Sequence, residues 1–520
     1  MTACIVGWSH LPFGKYENRD VESLIVEAAS AAMADAGIGP DAVDEIYLGH
    51  FNGGFVVQDF TASLVLQADP AFRFKPATRV ENACATGSAA VHAGVRSIAA
   101  RTARIVLVVG VEKMTELTAR AIGDTLLKAS YLKEDNSIEG GFAGVFGMIA
   151  QRYFQRYGDQ SDALAAIAAK NHANGCGNPW AQMRKDLGYE FCRNVSDKNP
   201  IVAGPLKRTD CSLVSDGAAA LVLADVETAL GMRKAVAFRS WAQVNDFLPM
   251  SKRDIVEFEG CTAAWQKALD RAKLGLDDLD LVETHDCFTV AELLEYEAMG
   301  LTPKGQGAKA ILEGWTRKDG KLPVNPSGGL KSKGHPIGAT GVSMHVLTAM
   351  QVRGDAGDMQ VKDAKLGGVY NMGADCVASD DSILDAGERG APPLRRRDSR
   401  DTRSRGPAHG HPRDQRRRRR ADPRDQRRQP AAAGGVPGGA GAPSPRSAGA
   451  AVLPAIQDRQ VRGGRHQVAD LDDLRAPRRQ PGRVPGELVE DAALTGRRRD
   501  DPERARRAAG RPAARGCDAG

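Results

Sequence analysis

This chain is short of several features that would announce a class. It has no run of about eighteen apolar residues, the length a membrane-crossing helix needs, so no membrane span or membrane partner is expected. Its nine cysteines are scattered without regular spacing and form no Cys-x-x-Cys pair. That argues against a metal cluster built on paired cysteines, and it fits a reducing, cytoplasmic setting. The opening residues, MTACIVGWSHLPFG, run straight into an apolar strand-like stretch without a basic region or cleavage site, so a secretory signal is not expected. Beyond Leu384 the chain also loses Lys, Asn, Met, Phe, Tyr and Trp altogether. What is left, mostly Arg, Ala, Gly, Pro and Asp, has almost nothing with which to form a core.

The formal charge of +6 is set by that last stretch. After Ala386 there are about 32 Arg against about 17 acidic residues, roughly +15, which leaves the preceding part near −9. The part able to fold is acidic, so the overall basicity does not point to a nucleic-acid partner. The run RDQRRRRRADPRDQRR has no interleaved aromatics to stack on bases. Residues 386–520 are expected to be a disordered tail. Their Arg/Ala/Gly/Pro bias without Lys is also what a GC-rich message yields when read out of frame, so a frameshift origin is the favoured explanation.

What is present suits a large α/β protein, and 520 residues allow two or three domains. From residue 1 to about 228, strand-like and helix-like segments alternate. CIVGWSH, DEIYLGHF, RIVLVVGVE and DGAAALVLAD read as strands; VESLIVEAASAAMADAGI, DFTASLVLQAD and VHAGVRSIAARTA read as helices. Buried strands alternating with helices predict a parallel-type sheet covered on both faces. A mostly helical insertion, about 113–205, interrupts this rhythm. Residues 229–385 repeat the plan weakly and end the sheet at AKLGGVYNMG. Each half has a turn of small residues before a helix, ACATGSAA in the first and GHPIGATG in the second. Two such turns facing one another would leave a pocket between the halves.

The chemistry is expected around TRVENACATGSAA, residues 78–90, where Cys84 lies between an extended segment and a helix of small residues. A helix N-terminus offers unpaired N–H groups and the positive end of the dipole, which favour the thiolate, the nucleophilic form. A buried structural cysteine is the plain alternative. Three other stretches converge on it. In ETHDCF, at a strand end, His285 and Cys287 flank Asp286 and share one side of an extended chain. In GHPIGATG, His335 lies between glycine and proline just before a helix. In NMG, Gly373 can present a backbone N–H close to a reacting centre. Cys4, Cys176, Cys192, Cys211, Cys261 and Cys376 fall outside these motifs and read as core or surface thiols.

Together these motifs resemble the thiolase family over nearly all of residues 1–385. ACATGSAA resembles its nucleophile loop and NPSGGLKSKGHPIGATG its histidine motif. HDCF stands where most thiolases have Asn-Glu-Ala-Phe, and Asn371-Met372-Gly373 where they have Cys-x-Gly; this combination is similar to the sterol-carrier-type thiolases. The resemblance implies a five-layered αβαβα core of two related halves, a helical loop domain, and a homodimer or homotetramer. It implies acyl-CoA and CoA as substrates and no cofactor or metal. Cys84 would be the acyl carrier, His335 its base, and Cys287 the acid/base for the α-carbon. His285 and His335 would form one oxyanion hole, and the N–H groups of Cys84 and Gly373 a second. Phe142, Phe146, Met148 and Ser327 would contact substrate. Three rivals remain: a ketoacyl-synthase-like condensing enzyme, a retro-aldolase working with a small acyl-CoA-binding partner protein, and a catalytically silent acyl-CoA- or lipid-binding subunit.

Overall fold

The computed structural model describes residues 3–387, and the expectation for the tail lies outside them. In the first half the strands are β1 (Ala3–His10), β2 (Glu45–Gly49), β3 (Ala77–Val80) and β4 (Ile105–Glu112). The long insertion holds a small ribbon, β5 (Ile201–Ala203) and β6 (Leu206–Lys207), and the chain then returns to the sheet as β7 (Gly217–Asp225). The second half contributes β8 (Val236–Asn245), β9 (Leu281–Glu283), β10 (Leu366–Gly373) and β11 (Ala378–Asp385). Nine of these form one sheet in the order β3-β2-β4-β7-β1-β8-β11-β10-β9. The halves mirror each other across the β1–β8 seam, which is a short antiparallel pairing at Cys4–Ala237 and Ile5–Val236. The counterpart of β3 in the second half shrinks to one bridge, Val324 to Val282 of β9.

Helices supply the other layers. α1 (Val21–Ala36) is capped by the Asp20 side chain and ended by Gly37, whose φ of 72° closes the helix. It covers one face of β1, β4 and β7. On the opposite face lies α2 (Thr86–Ala100), the helix that follows Cys84. In the insertion the helices are α3 (Ala119–Leu127), α4 (Leu132–Asp135), α5 (Gly141–Tyr157), α6 (Ser161–Gly175) and α7 (Tyr189–Arg193), and α8 (Val226–Ala229) leads to β8. The second half adds α9 (Glu259–Ala272), α10 (Thr289–Ala298), α11 (Gly307–Leu312), α12 (Gly329–Lys333) and α13 (Ile337–Arg353). α13 packs against α2 and touches strands of both halves, while α9 covers β8 and β11 from outside. The sequence of layers is α1, strands, α2 with α13, strands, α9.

Three expectations change. The sheet is mixed, because β1, β7, β8 and β11 run antiparallel to their neighbours while only β2–β3, β2–β4 and β9–β10 are parallel. The long insertion returns the chain as β7, and the turn at 374–377 reverses β10 into β11; neither is a helical crossover of the kind parallel pairing needs. The sheet does not end at Gly373, since β11 fills the place between β8 and β10 although its sequence, ASDDSILD, carries two adjacent acids. The segment Thr61–Ala68, read as an α-helix, forms 3-10 turns.

α2 and α13 are the buried centre, and glycine lets their first turns touch. A Cβ on Gly87 would come within 2.7 Å of the Gly341 nitrogen, and one on Gly341 within 2.2 Å of the Ser88 nitrogen. The ATG triplets of the two half-motifs therefore meet back to back, and this crossing sets the distance between what precedes each helix: Cys84 before α2, and His335 before α13.

Candidate active site

Cys84 is 3% exposed, at the end of a turn in which Ala83 takes a φ of 49°. The Ala85 amide donates to the Asn82 carbonyl at 3.1 Å, and the Asn82 amide donates to Thr86 Oγ1 at 2.8 Å, so the turn is tied to the first residue of α2. Burial pushes the Cys84 thiol up to about 12, opposed by a hydrogen bond from the Ala374 amide and reinforced by the Glu112 and Glu81 carboxylates. The expected standing thiolate is thus overruled, because desolvation outweighs the helix end. The amide facing the sulfur is that of Ala374, one residue past the predicted Gly373; a Cβ on Gly373 itself would press on the Asn82 carbonyl. Phe51, Phe55, Met114, Ile122 and Ile337 pack around Cys84.

Sulfur and imidazoles converge. One ligand atom each of Cys84, His285 and His335 lies within 4.8 Å of the others, and the two rings stand edge to face with centroids 5.0 Å apart. Their hydrogen bonds fix opposite tautomers. Thr340 Oγ1 donates to the Pro336 carbonyl at 2.9 Å, so at 2.7 Å it accepts from His335 Nδ1–H, leaving Nε2 as a base. Asn371 Nδ2 donates to the Cys84 carbonyl at 3.0 Å and to His285 Nδ1 at 2.9 Å, so His285 carries its proton on Nε2. Among the described residues that Nε2 has no hydrogen-bond partner. In this tautomer His285 Nε2 is an N–H donor and offers no lone pair to a cation. Burial, followed by the Lys333 charge, pushes His335 down to about 3. Burial, His335 and Lys333 hold His285 well below its ordinary 6.5. Both shifts favour the neutral ring.

Cys287 is 3% exposed, and its carbonyl accepts from the Ser212 amide at 2.8 Å. Burial raises its thiol well above 9.0, and the next cause is the Cys84 sulfur, which places the two sulfurs within electrostatic reach. Between His285 and Cys287, Asp286 turns away as the alternation predicts. Its carboxyl accepts from Asn171 and from the Leu330 and Lys331 amides, tying ETHDCF to α12.

The predicted substrate contacts fare differently. Phe142 and Phe146 pack with Phe288, the latter stacked at 4.4 Å, in the cluster that includes Cys287; Met148 lies at its margin. Phe142 and Phe146 are buried in that cluster, and Met148 is half-buried against it. Ser327 is a strut: its hydroxyl and amide donate to Glu283, and its carbonyl accepts from Asn178. A crevice of about 690 Å³ does open beside the Cys84 turn, with Asn82, Ala83, Gly373 and Ala374 on one wall and Phe51, Ala129 and Leu248 among the others. Asn371 and Thr340 lie inside NMG and GHPIGATG but carry no signal of their own there, because only folding sets the amide and the hydroxyl against the imidazoles. Glu112 was passed over as strand, yet it accepts the Phe51, Asn52 and Gly338 amides and so joins the β2 loop to α13.

Family models describe the same chain. The thiolase N-terminal domain matches residues 3–187 and the thiolase C-terminal domain-like model residues 242–386. This chain belongs to the thiolase family. It is 36% identical over 375 residues to acetyl-CoA acetyltransferase of Methanothermobacter thermautotrophicus, covering 71% of this chain and 95% of that protein. Sterol carrier protein 2 of Homo sapiens is 34% identical over 69% of this chain and 67% of its own length. Among solved structures, the Ltp2-ChsH2(DUF35) aldolase aligns over 74% of this chain and 98% of its own with a TM-score of 0.63 and 23% identity. Human mitochondrial 3-ketoacyl-CoA thiolase in complex with CoA aligns over 74% and 98% with a TM-score of 0.56 and 18% identity. These structural matches speak for the fold.

Proposed function

We propose that the protein is a CoA-dependent thiolase, making or cleaving 3-ketoacyl-CoA through an acyl group carried on Cys84. The observation behind this is the pair of opposed tautomers at one sulfur: a bare nitrogen on His335 and an N–H on His285. His335 Nε2 takes the Cys84 proton as the sulfur attacks a thioester or ketone carbonyl. In cleavage the Cα–Cβ bond breaks, the acyl group stays on Cys84, and the acetyl-CoA enolate takes its proton from Cys287. The Cys287 thiolate so formed then takes the proton of incoming CoA, whose sulfur displaces the acyl group and returns Cys84 as the leaving thiolate, which recovers its proton from His335. Condensation is the reverse. His285 Nε2–H and protonated His335 stabilise the enolate oxygen, and the amides near Cys84 and Ala374 the acyl carbonyl. This chemistry calls on no cofactor.

A homodimer belongs to the same proposal. Among the described residues β3 has a neighbour on one side only, it leads straight into the Cys84 turn, and Val57, Phe60 and Phe74 nearby are exposed. Among the described residues no disulfide joins the cysteines, which accords with a cytosolic setting. A ketoacyl-synthase-like enzyme would leave Cys287 without work, and a retro-aldolase with a small acyl-CoA-binding partner would leave Cys84 without work. Incubation with acetyl-CoA followed by peptide mass spectrometry tests the reading. An acetyl group on Cys84 that free CoA removes is expected. No adduct, with no cleavage of 3-ketoacyl-CoA, leaves a silent acyl-CoA-binding subunit instead.

A further inference from the structure

Behind the nucleophile turn is a buried polar cluster that the chemistry above does not use. It joins α2 (His92), α13 (His345) and β11 (Asp380 and Ser382), all inaccessible to solvent. The β8 residue Trp241 lies tilted against His92 with ring centroids 5.3 Å apart, and Arg96 of α2 sits over the Trp241 ring at 4.9 Å. Asp381 of β11 is buried beside Asp380.

Hydrogen-bond bookkeeping fixes the protons. The Gly341 carbonyl only accepts, so His345 Nδ1 at 2.7 Å carries a hydrogen and His345 Nε2 is bare. Ser382 must then donate to His345 Nε2 at 2.9 Å, and it accepts from His92 Nε2–H at 2.9 Å. A neutral His92 would now turn a bare Nδ1 toward Asp380 Oδ1, 3.3 Å away, acceptor against acceptor. The chain closes only if a hydrogen lies between His92 Nδ1 and Asp380 Oδ1, which makes that contact the last link of the cluster. The remaining oxygen of Asp380 accepts from Asn82 Nδ2 at 3.2 Å, and Asn82 begins the turn that ends in Cys84. One carboxylate thus reaches the turn directly, α2 through His92, and α13 through Ser382 and His345.

We propose that Asp380 is a positioning residue for the nucleophile: with His92, Ser382 and His345 it clamps α2, α13 and the Asn82–Cys84 turn in the register that brings the Cys84 thiol to His335. The inference rests on the reading of Cys84 as the nucleophile. Since His335 precedes α13 and Cys84 precedes α2, slack between the helices lengthens the sulfur-to-nitrogen contact, and a misplacement of about 1 Å costs on the order of a hundredfold in rate. Substrate binding, away from the clamp, changes little.

Two variants of the full chain test this, Asp380→Asn and Ser382→Ala, each read by kcat, by KM and by the rate at which iodoacetamide alkylates Cys84 relative to the other thiols of the same chain. The clamp predicts that kcat and the Cys84 alkylation rate fall together, by roughly tenfold or more, with KM within about twofold and the other thiols unchanged. A folded variant whose Cys84 alkylates at the parental relative rate overturns the proposal, as does a loss confined to KM. If Asp380→Asn fails to fold, Ser382→Ala decides alone, because it removes one hydroxyl and adds no charge. Alkylation needs no turnover, so it still reports on the clamp if the parent proves not to be acylated by acetyl-CoA, a result that would count against the thiolase reading and not against the clamp.

Discussion

At the scale of single residues, the proposed mechanism works by holding protons ready rather than by holding charge. Burial keeps Cys84 a thiol, and the same burial keeps His335 a free base, so proton transfer and attack are one event. The pH dependence follows. His335 is lowered to about 3, so its base form is already present across the range in which an ordinary histidine titrates. As pH falls, the unfolded chain takes up this proton first, near 6.5, so the stability His335 lends is present above 6.5 and is lost on the way down toward 3. Acylation of Cys84 by a saturating thioester should therefore show no step between about pH 5 and 8; a rise with its midpoint near 6.5 would mean that His335 is not the neutral base described. Asn371→Ala removes the donor that fixes His285. It should lower kcat by about 10- to 100-fold with little change in KM, and a kcat within twofold of the parent would deny the tautomer its importance.

At the scale of elements, the crossing of α2 and α13 determines whether the two half-motifs meet. Gly341→Ala puts a methyl group against Ser88 and Asn371. It should cost about 1–3 kcal/mol in chemical unfolding and lower turnover further by separating Cys84 from His335; unchanged unfolding and turnover would show that the crossing has slack. Most elements were legible, because strands such as RIVLVVGVE and helices such as VESLIVEAASAAMADAGI show their period plainly. β11 was not. Asp380 and Asp381 make its sequence look like a loop, and only what folding brings, His92 and Asn82 beside one and a burial that raises the carboxyl of the other well above its ordinary range, makes a central strand of it. The same reason hid half of the site. Cys84, His285, Cys287 and His335 are conspicuous by residue type within their motifs, whereas Thr340, Asn371 and the Ala374 amide matter through geometry alone. Ser327 misled in the opposite direction: it lies in a telling motif yet spends its polar groups on Glu283 and Asn178.

At the scale of the whole molecule, the open question that the sheet itself poses is its free edge. The Ile46 and His50 amides donate to the Pro76 and Val80 carbonyls, so the even-numbered residues of β3 face β2 and Ala77 faces outward. Ala77→Pro removes an outward donor without touching that ladder. Combined with Phe74→Asp it should convert a dimer to a monomer by light scattering, while a parent that is already monomeric, or a variant that stays dimeric, would place any interface elsewhere. The fold otherwise serves one arrangement: two related halves, each delivering a turn and a helix to a common crossing, with ETHDCF brought in at the end of β9.

The claim on which the account rests is that Cys287 carries the proton of the α-carbon while Cys84 carries the acyl group. Exchange of the acetyl-CoA methyl protons with deuterated solvent, followed by mass spectrometry, measures that step without the rest of the cycle. The parent should take up deuterium and Cys287→Ala should not, though Cys84 in that variant still becomes acetylated. Exchange at the parental rate in Cys287→Ala would contradict the assignment.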